Sequence, residues 1–170
     1  SEDEVLKGSL LITLYENLRW KTISPQGFRE EMLAYLPNES NSLLFSMALS
    51  YLGDCQRIFP SDSRPLEQVL WKIVTTNPVS QHRLQAFRLY RSIADSEEAV
   101  QRLYTLWQER KAPKDCTLSE SDYIGLSYML AMHLPEKADK IIATQLSRIQ
   151  NPDRKKEYQF ISPSVSPRKE

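Results

Sequence analysis

The chain has 170 residues, 41% of them apolar, with 22 cationic side chains balanced by 22 anionic ones. That length suits one domain, 1–170, with a core of its own. Zero net charge argues against nucleic acid as a partner, because phosphates are held by clustered cations in excess. No apolar run approaches the ~20 residues that a membrane-spanning helix needs, so no membrane is expected either.

Gly is scarce, with four residues, and the ten prolines mostly separate apolar-periodic stretches, as helix punctuation does. No stretch alternates apolar and polar long enough for a strand. The pattern therefore predicts an all-α chain.

In chain order, Ser1 with Glu4 reads as a capping box for a helix over 3–21. Ser24-Pro25 places a capping side chain before Pro at the first helical position, opening a helix over 25–36. The helix over 41–58 is apolar nearly all round from Leu43 to Leu52, as a helix packed on several sides is. The next, over 65–76, carries one stripe of Leu66, Val69, Leu70, Ile73 and Val74. Asn77-Pro78 opens a helix over 78–94. Ser96-Glu97-Glu98 puts acids in the first turn of a helix over 97–110, where the helix dipole favours them. Ser119 and Asp122 resemble a capping box for a helix over 120–134, again apolar nearly all round. A helix over 136–150 carries Ala138, Ile141, Ile142 and Ile149 on one face. Asn151-Pro152 opens the last, over 152–161, where Tyr158 and Ile161 can face the core and Pro163 ends it.

The helices come in pairs, and the pairs look like repeats. LITLYENL, MALSYLGD, AFRLYRSI and IGLSYMLA align on Tyr15, Tyr51, Tyr90 and Tyr128, at spacings of 36, 39 and 38 residues. In the second helices Tyr35, Trp71 and Trp107 recur every 36. An aromatic column with a period of roughly 35–45 residues is what stacked helical hairpins produce. HEAT-like and tetratricopeptide-like units share that spacing, but the tetratricopeptide consensus glycines and alanines are missing.

Chemistry is sparse. His82 and His133 belong to no metal-ligand spacing, and His133 in an apolar helix reads as a hydrogen-bonded structural residue. Cys55 and Cys116 form neither a disulfide framework nor a metal knuckle, and read as buried free thiols. There is no phosphate-binding loop. In QHRLQAFRLYRSI, Arg83 and Arg88 lie off the face of Ala86, Tyr90 and Ile93, on a solvated side. The Arg154-Lys155-Lys156 run is offset by Asp153 and Glu157 and is a surface turn of helix, not a polybasic arm. No catalytic residue, metal ligand or cofactor site is expected in this chain.

Several strings carry a resemblance: the LP-x-E-S junction from Leu36 to Ser40, S-x-E-A-V-x-R-L-Y from Ser96 to Tyr104, and N-P-D-R followed by F-I-S-P from Asn151 to Pro163. With them, nearly the whole chain resembles the C-terminal helical domain of the aminopeptidase N family of zinc metallopeptidases, the domain shared with the endoplasmic-reticulum aminopeptidases. The resemblance implies an α-α superhelix of HEAT-like antiparallel helical hairpins. It implies zinc and the catalytic glutamate in an earlier domain of the parent enzyme, which carries H-E-x-x-H. The helical domain then closes over that catalytic domain, shapes the peptide chamber and touches peptide substrates. The chain is expected to be a piece of a longer solenoid and to be inactive alone. Arg154, Lys155, Tyr158 and Phe160 are candidates for the surface that meets the catalytic domain or the peptide. The competing reading is a free-standing HEAT-like scaffold that binds a protein or peptide.

Overall fold

The structure is a computed structural model that describes residues 2–165. All regular structure among those residues is helical, and none of the helices is long and apolar enough to cross a membrane. They form two compact units, Ser1–Ile93 and Ala94–Glu170. Each is described by itself.

The first unit contains α1 (Glu2–Arg19), α2 (Pro25–Tyr35), α3 (Ser42–Ile58), α4 (Arg64–Thr76) and α5 (Ser80–Ile93), with a 3-10 turn at Leu36–Asn38. The capping box expected at the start of α1 involves Ser1, which lies outside the described residues. Helix α1 stops two residues earlier than its pattern suggests, because Lys21 takes the left-handed conformation (φ 60°). That conformation lets Thr22 N–H reach the Asn17 carbonyl at 2.9 Å and Lys21 N–H the Leu18 carbonyl at 3.1 Å, a Schellman ending that satisfies the last carbonyls. Ser24 caps α2 as expected, its Oγ accepting from Gly27 N–H at 3.0 Å. Asn41 caps α3 through the N–H groups of Leu43 and Leu44.

The Asn77-Pro78 reading is corrected. Asn77 ends α4, and its side chain accepts from Val79 N–H at 2.9 Å, so the chain turns once more before α5 begins at Ser80. An Asx turn competes with an N-cap for the same side chain.

Helix α3 lies against α1, α2 and α5, burying Leu44, Phe45, Ala48, Leu49, Leu52 and Cys55. It is not packed all round, since Leu43 is exposed. The sequence pairing joined α3 to α4, yet α4 runs along α5, where Trp71 tilts against Tyr90 with ring centroids 5.1 Å apart. The expected stripe of α4 is buried at Leu66, Leu70, Ile73 and Val74. At Gly53 the missing side chain lets α3 approach α5: a Cβ there would lie 3.0 Å from Leu89 Cδ1.

The second unit contains α6 (Glu97–Glu109), α7 (Glu120–His133), α8 (Ala138–Arg148) and α9 (Pro152–Ile161), with 3-10 turns at Pro135–Lys137 and Ser162–Ser164. Ser96 caps α6, Ser119 and Asp122 form the expected capping box of α7, and Asn151 caps α9. Helix α6 ends at Arg110 (φ 54°) in a second Schellman arrangement, with Lys111 N–H bonded to the Leu106 carbonyl. Helix α7 packs between α6 and α8, although Met132 on it is exposed. Trp107 of α6 donates its indole N–H to Gln145 of α8 at 2.8 Å, with both side chains buried. Arg148 lies over the Trp107 ring and donates to the carbonyls of Trp107 and Gln108, closing the end of α6.

Candidate functional site

The candidate residues of the last helix start from the Asn151 cap, whose Oδ1 accepts from Asp153 and Arg154 N–H at 3.0 and 3.1 Å. Pro152 at the first helical position costs nothing, because its missing N–H has no intrahelical partner to serve. The cap sets the register in which the four candidates point different ways. Tyr158 is 1% exposed. Its ring stacks on Tyr128 of α7, centroids 4.9 Å apart, and its hydroxyl lies 2.9 Å from Ser127 Oγ. Burial pushes the Tyr158 phenol up to about 12, so it remains a neutral hydroxyl. Phe160 is two residues on, about 200° round the helix, and is 88% exposed.

Arg154 reaches Glu120 at the start of α7, Nη1 to Oε1 3.4 Å. The same carboxylate accepts from Gln150 N–H at 2.8 Å, and that bond, ahead of Arg154, holds the Glu120 carboxyl below its usual range. Lys155 is exposed. The structure therefore presents Arg154, Lys155 and Phe160 to solvent and turns Tyr158 inward, where it anchors α9 on α7.

A second feature was not foreseen. Helices α3 and α5 leave a groove of about 620 Å³, with Leu49, Gly53 and Leu89 among its lining and Asp54, Arg57 and Arg88 as its charged groups. Asp54 is engaged twice, by Arg57 Nη2 at 2.5 Å and by Tyr15 Oη at 3.1 Å. Burial, and after it the Asp54 carboxylate, push the Tyr15 phenol up. Tyr15 also stacks on Tyr51, centroids 4.2 Å apart and planes within 5°. Half of the groove was written in the sequence: Ser46, Ser50 and Gly53 recur at helical spacing, and small side chains on one face leave space beside a neighbouring helix.

The two histidines have separate surroundings. His82 is fully buried against Phe45 and Ser42. His133 places Nδ1 3.0 Å from the Met129 carbonyl and Nε2 3.5 Å from Asp95. Among the described residues no group of three or more His, Cys, Asp or Glu side chains could hold a metal ion. Cys55 is buried, with Sγ 3.7 Å from the Pro25 carbonyl, and burial pushes its thiol up. Compared with protein-family models, curated proteins and solved structures, the chain matches none.

Proposed function

We propose that this chain is the non-catalytic C-terminal helical domain of a zinc aminopeptidase of the aminopeptidase N family, closing over the catalytic domain and shaping the peptide chamber. The resemblance of its junction strings carries the reading. Leu36 to Ser40 covers the turn that leads into α3, Ser96 to Tyr104 the capped start of α6, and Asn151 to Pro163 all of α9. Strings at junctions fix how helices meet, more than which residues react.

An α-α superhelix of HEAT-like hairpins is the arrangement this reading requires. It is supported within residues 1–93 by α3 lying against both α1 and α5, as first helices of successive hairpins do, and by the Tyr15–Tyr51 stack. On this reading the partners are the catalytic domain of the same polypeptide and peptide substrates, and zinc belongs to that catalytic domain. Arg154, Lys155 and Phe160 would supply the contact surface, with Tyr158 holding their helix in place.

The test is the reading frame upstream of Ser1, followed by kinetics of its product. H-E-x-x-H in that frame, with zinc-dependent release of N-terminal residues, is the expected result. In that enzyme, alanine at Arg154 and Lys155 should lower kcat/KM on a long peptide and spare a single-residue chromogenic amide. A frame without the motif sinks the reading. It would leave the free-standing HEAT-like scaffold, which the α3–α5 groove favours because a helix-lined groove of that size can take a partner's segment.

A further inference from the structure

His82 occupies the third position of α5 and meets Ser42, the first residue of α3. Its Nε2 lies 3.0 Å from Ser42 Oγ, and its ring stacks on Phe45 with centroids 4.0 Å apart and planes within 5°. The residue is 0% exposed, and Nδ1 has no hydrogen-bond partner. A neutral imidazole tolerates this, with one nitrogen bonded to Ser42 and one left bare. An imidazolium does not: both nitrogens then carry protons, and the second has no acceptor. The helices add to the penalty. The ring sits at the N-terminal ends of both α3 and α5, where the macrodipoles are positive and disfavour a cation.

We propose that His82 is an acid-sensitive latch: as the neutral imidazole it holds the first turn of α5 on the first turn of α3, and taking up a proton releases the two turns from each other. The latch belongs to the fold of residues 1–93 and is independent of what the parent protein does.

The charges around it do not rescue the cation. Glu39, just before α3, is the carboxylate whose field reaches the ring, but it is occupied by the Tyr35 hydroxyl and by Asn41 N–H at 2.6 Å. Glu4 of α1 accepts from the Asn41 side chain at 2.8 Å, and Lys7 of α1 adds a cation that also feels Glu39. On α3 the charged residues are Asp54 and Arg57, more than three turns from Ser42, and Tyr51 and Cys55 are more than two turns from it. On α4, Arg64 pairs with Asp62, Glu67 accepts from Ser63, and Lys72 is exposed. Helix α5 itself carries only cations, Arg83, Arg88 and Arg91, with Tyr90 two turns on.

Burial lowers the proton affinity of folded His82 below the ordinary histidine value of 6.5. The released state is then protonated first. The latch is fully closed above that value and loosens as pH falls below it, the opening constant rising by at most tenfold per pH unit for one linked proton.

The experiment is hydrogen exchange of the Arg83 amide, which bonds to the Val79 carbonyl at 3.1 Å, and of the α5 amides that follow it, between pH 7.5 and 5.5 and corrected for intrinsic rates, together with NMR titration of the ring. His133→Gln removes the other histidine from both measurements. In that background the opening constant should rise several-fold on acidification, and His82→Phe, which keeps the stack on Phe45, should abolish the rise. An equal rise with and without His82 overturns the proposal, as does a His82 ring that titrates at or above 6.5. If His82→Phe does not fold, the titration and the exchange in the His133→Gln background decide together: a midpoint below that value with an opening constant that rises on acidification supports the latch, and an opening constant that stays flat overturns it.

Discussion

Truncating Tyr158 to Ala should be among the most damaging single changes in the second unit. The ring is 1% exposed and is the buried aromatic of α9, fixed on Tyr128 and bonded to Ser127. Deleting a buried ring of this size costs ~3–5 kcal/mol, and losing a stacked aromatic partner adds ~0.5–1.5 kcal/mol. At ~2–4 °C per kcal/mol for a chain of this length, the melting point should fall by roughly 7–26 °C. Tyr158→Phe isolates the hydroxyl. Ser127 Oγ already donates to the Ile124 carbonyl at 2.7 Å, so Tyr158 is the donor in their shared bond, and Ser127 keeps a partner when that donor goes. The Phe variant should therefore cost only ~0.5–1.5 kcal/mol, the net worth of one hydrogen bond. Urea unfolding followed by circular dichroism measures both. An Ala variant within ~1 kcal/mol of the parent, or a Phe variant as unstable as the Ala one, would refute this account of how α9 is held.

The remaining expectations are smaller. Gln145→Leu strands the buried Trp107 indole N–H and should cost ~1–3 kcal/mol, readable in the same unfolding curves, whereas Trp107→Phe in that background should recover part of the loss. Cys55 should stay inert to a thiol-specific chromogenic disulfide at pH 8 until urea exposes it, because its thiol is buried and pushed up; rapid reaction of the native thiol would contradict that environment. Arg154→Ala removes a partly exposed contact to Glu120 and should change stability by less than ~1 kcal/mol in the same unfolding curves; a larger loss would show a stronger tie between α9 and α7.

The helical register was legible because side-chain caps are local chemistry. Ser24, Ser96, Ser119 with Asp122, and Asn151 each satisfy N–H groups two or three residues ahead, so the sequence alone holds the information. Asn77 shows the limit. The same residue type can end one helix and turn the chain, and which it does depends on what α4 and α5 bury together. The left-handed endings at Lys21 and Arg110 were illegible for another reason, since neither is the Gly or Asn that usually marks such a site.

Aromatic spacing was informative where it described side-by-side helices, as in the Tyr15–Tyr51 stack, and less so across a pair. Trp71 meets Tyr90 of the following helix, and Trp107 is completed by Gln145, a polar residue that shares the stripe of Ala138, Ile141 and Ile149. The candidate surface divided for a geometric reason. Two residues apart on a helix is nearly the opposite face, and α9 has only one face against α7, so Tyr158 is buried and Phe160 is exposed.

The close approach at Gly53 also limits the order in which this chain can change. Alanine at that position would be better for the isolated helix by ~1 kcal/mol. Its methyl group would nevertheless arrive 3.0 Å from Leu89 Cδ1, and that side chain would have to give by a few tenths of an ångström. Positions 53 and 89 are therefore epistatic: shortening Leu89 first makes room that the reverse order lacks.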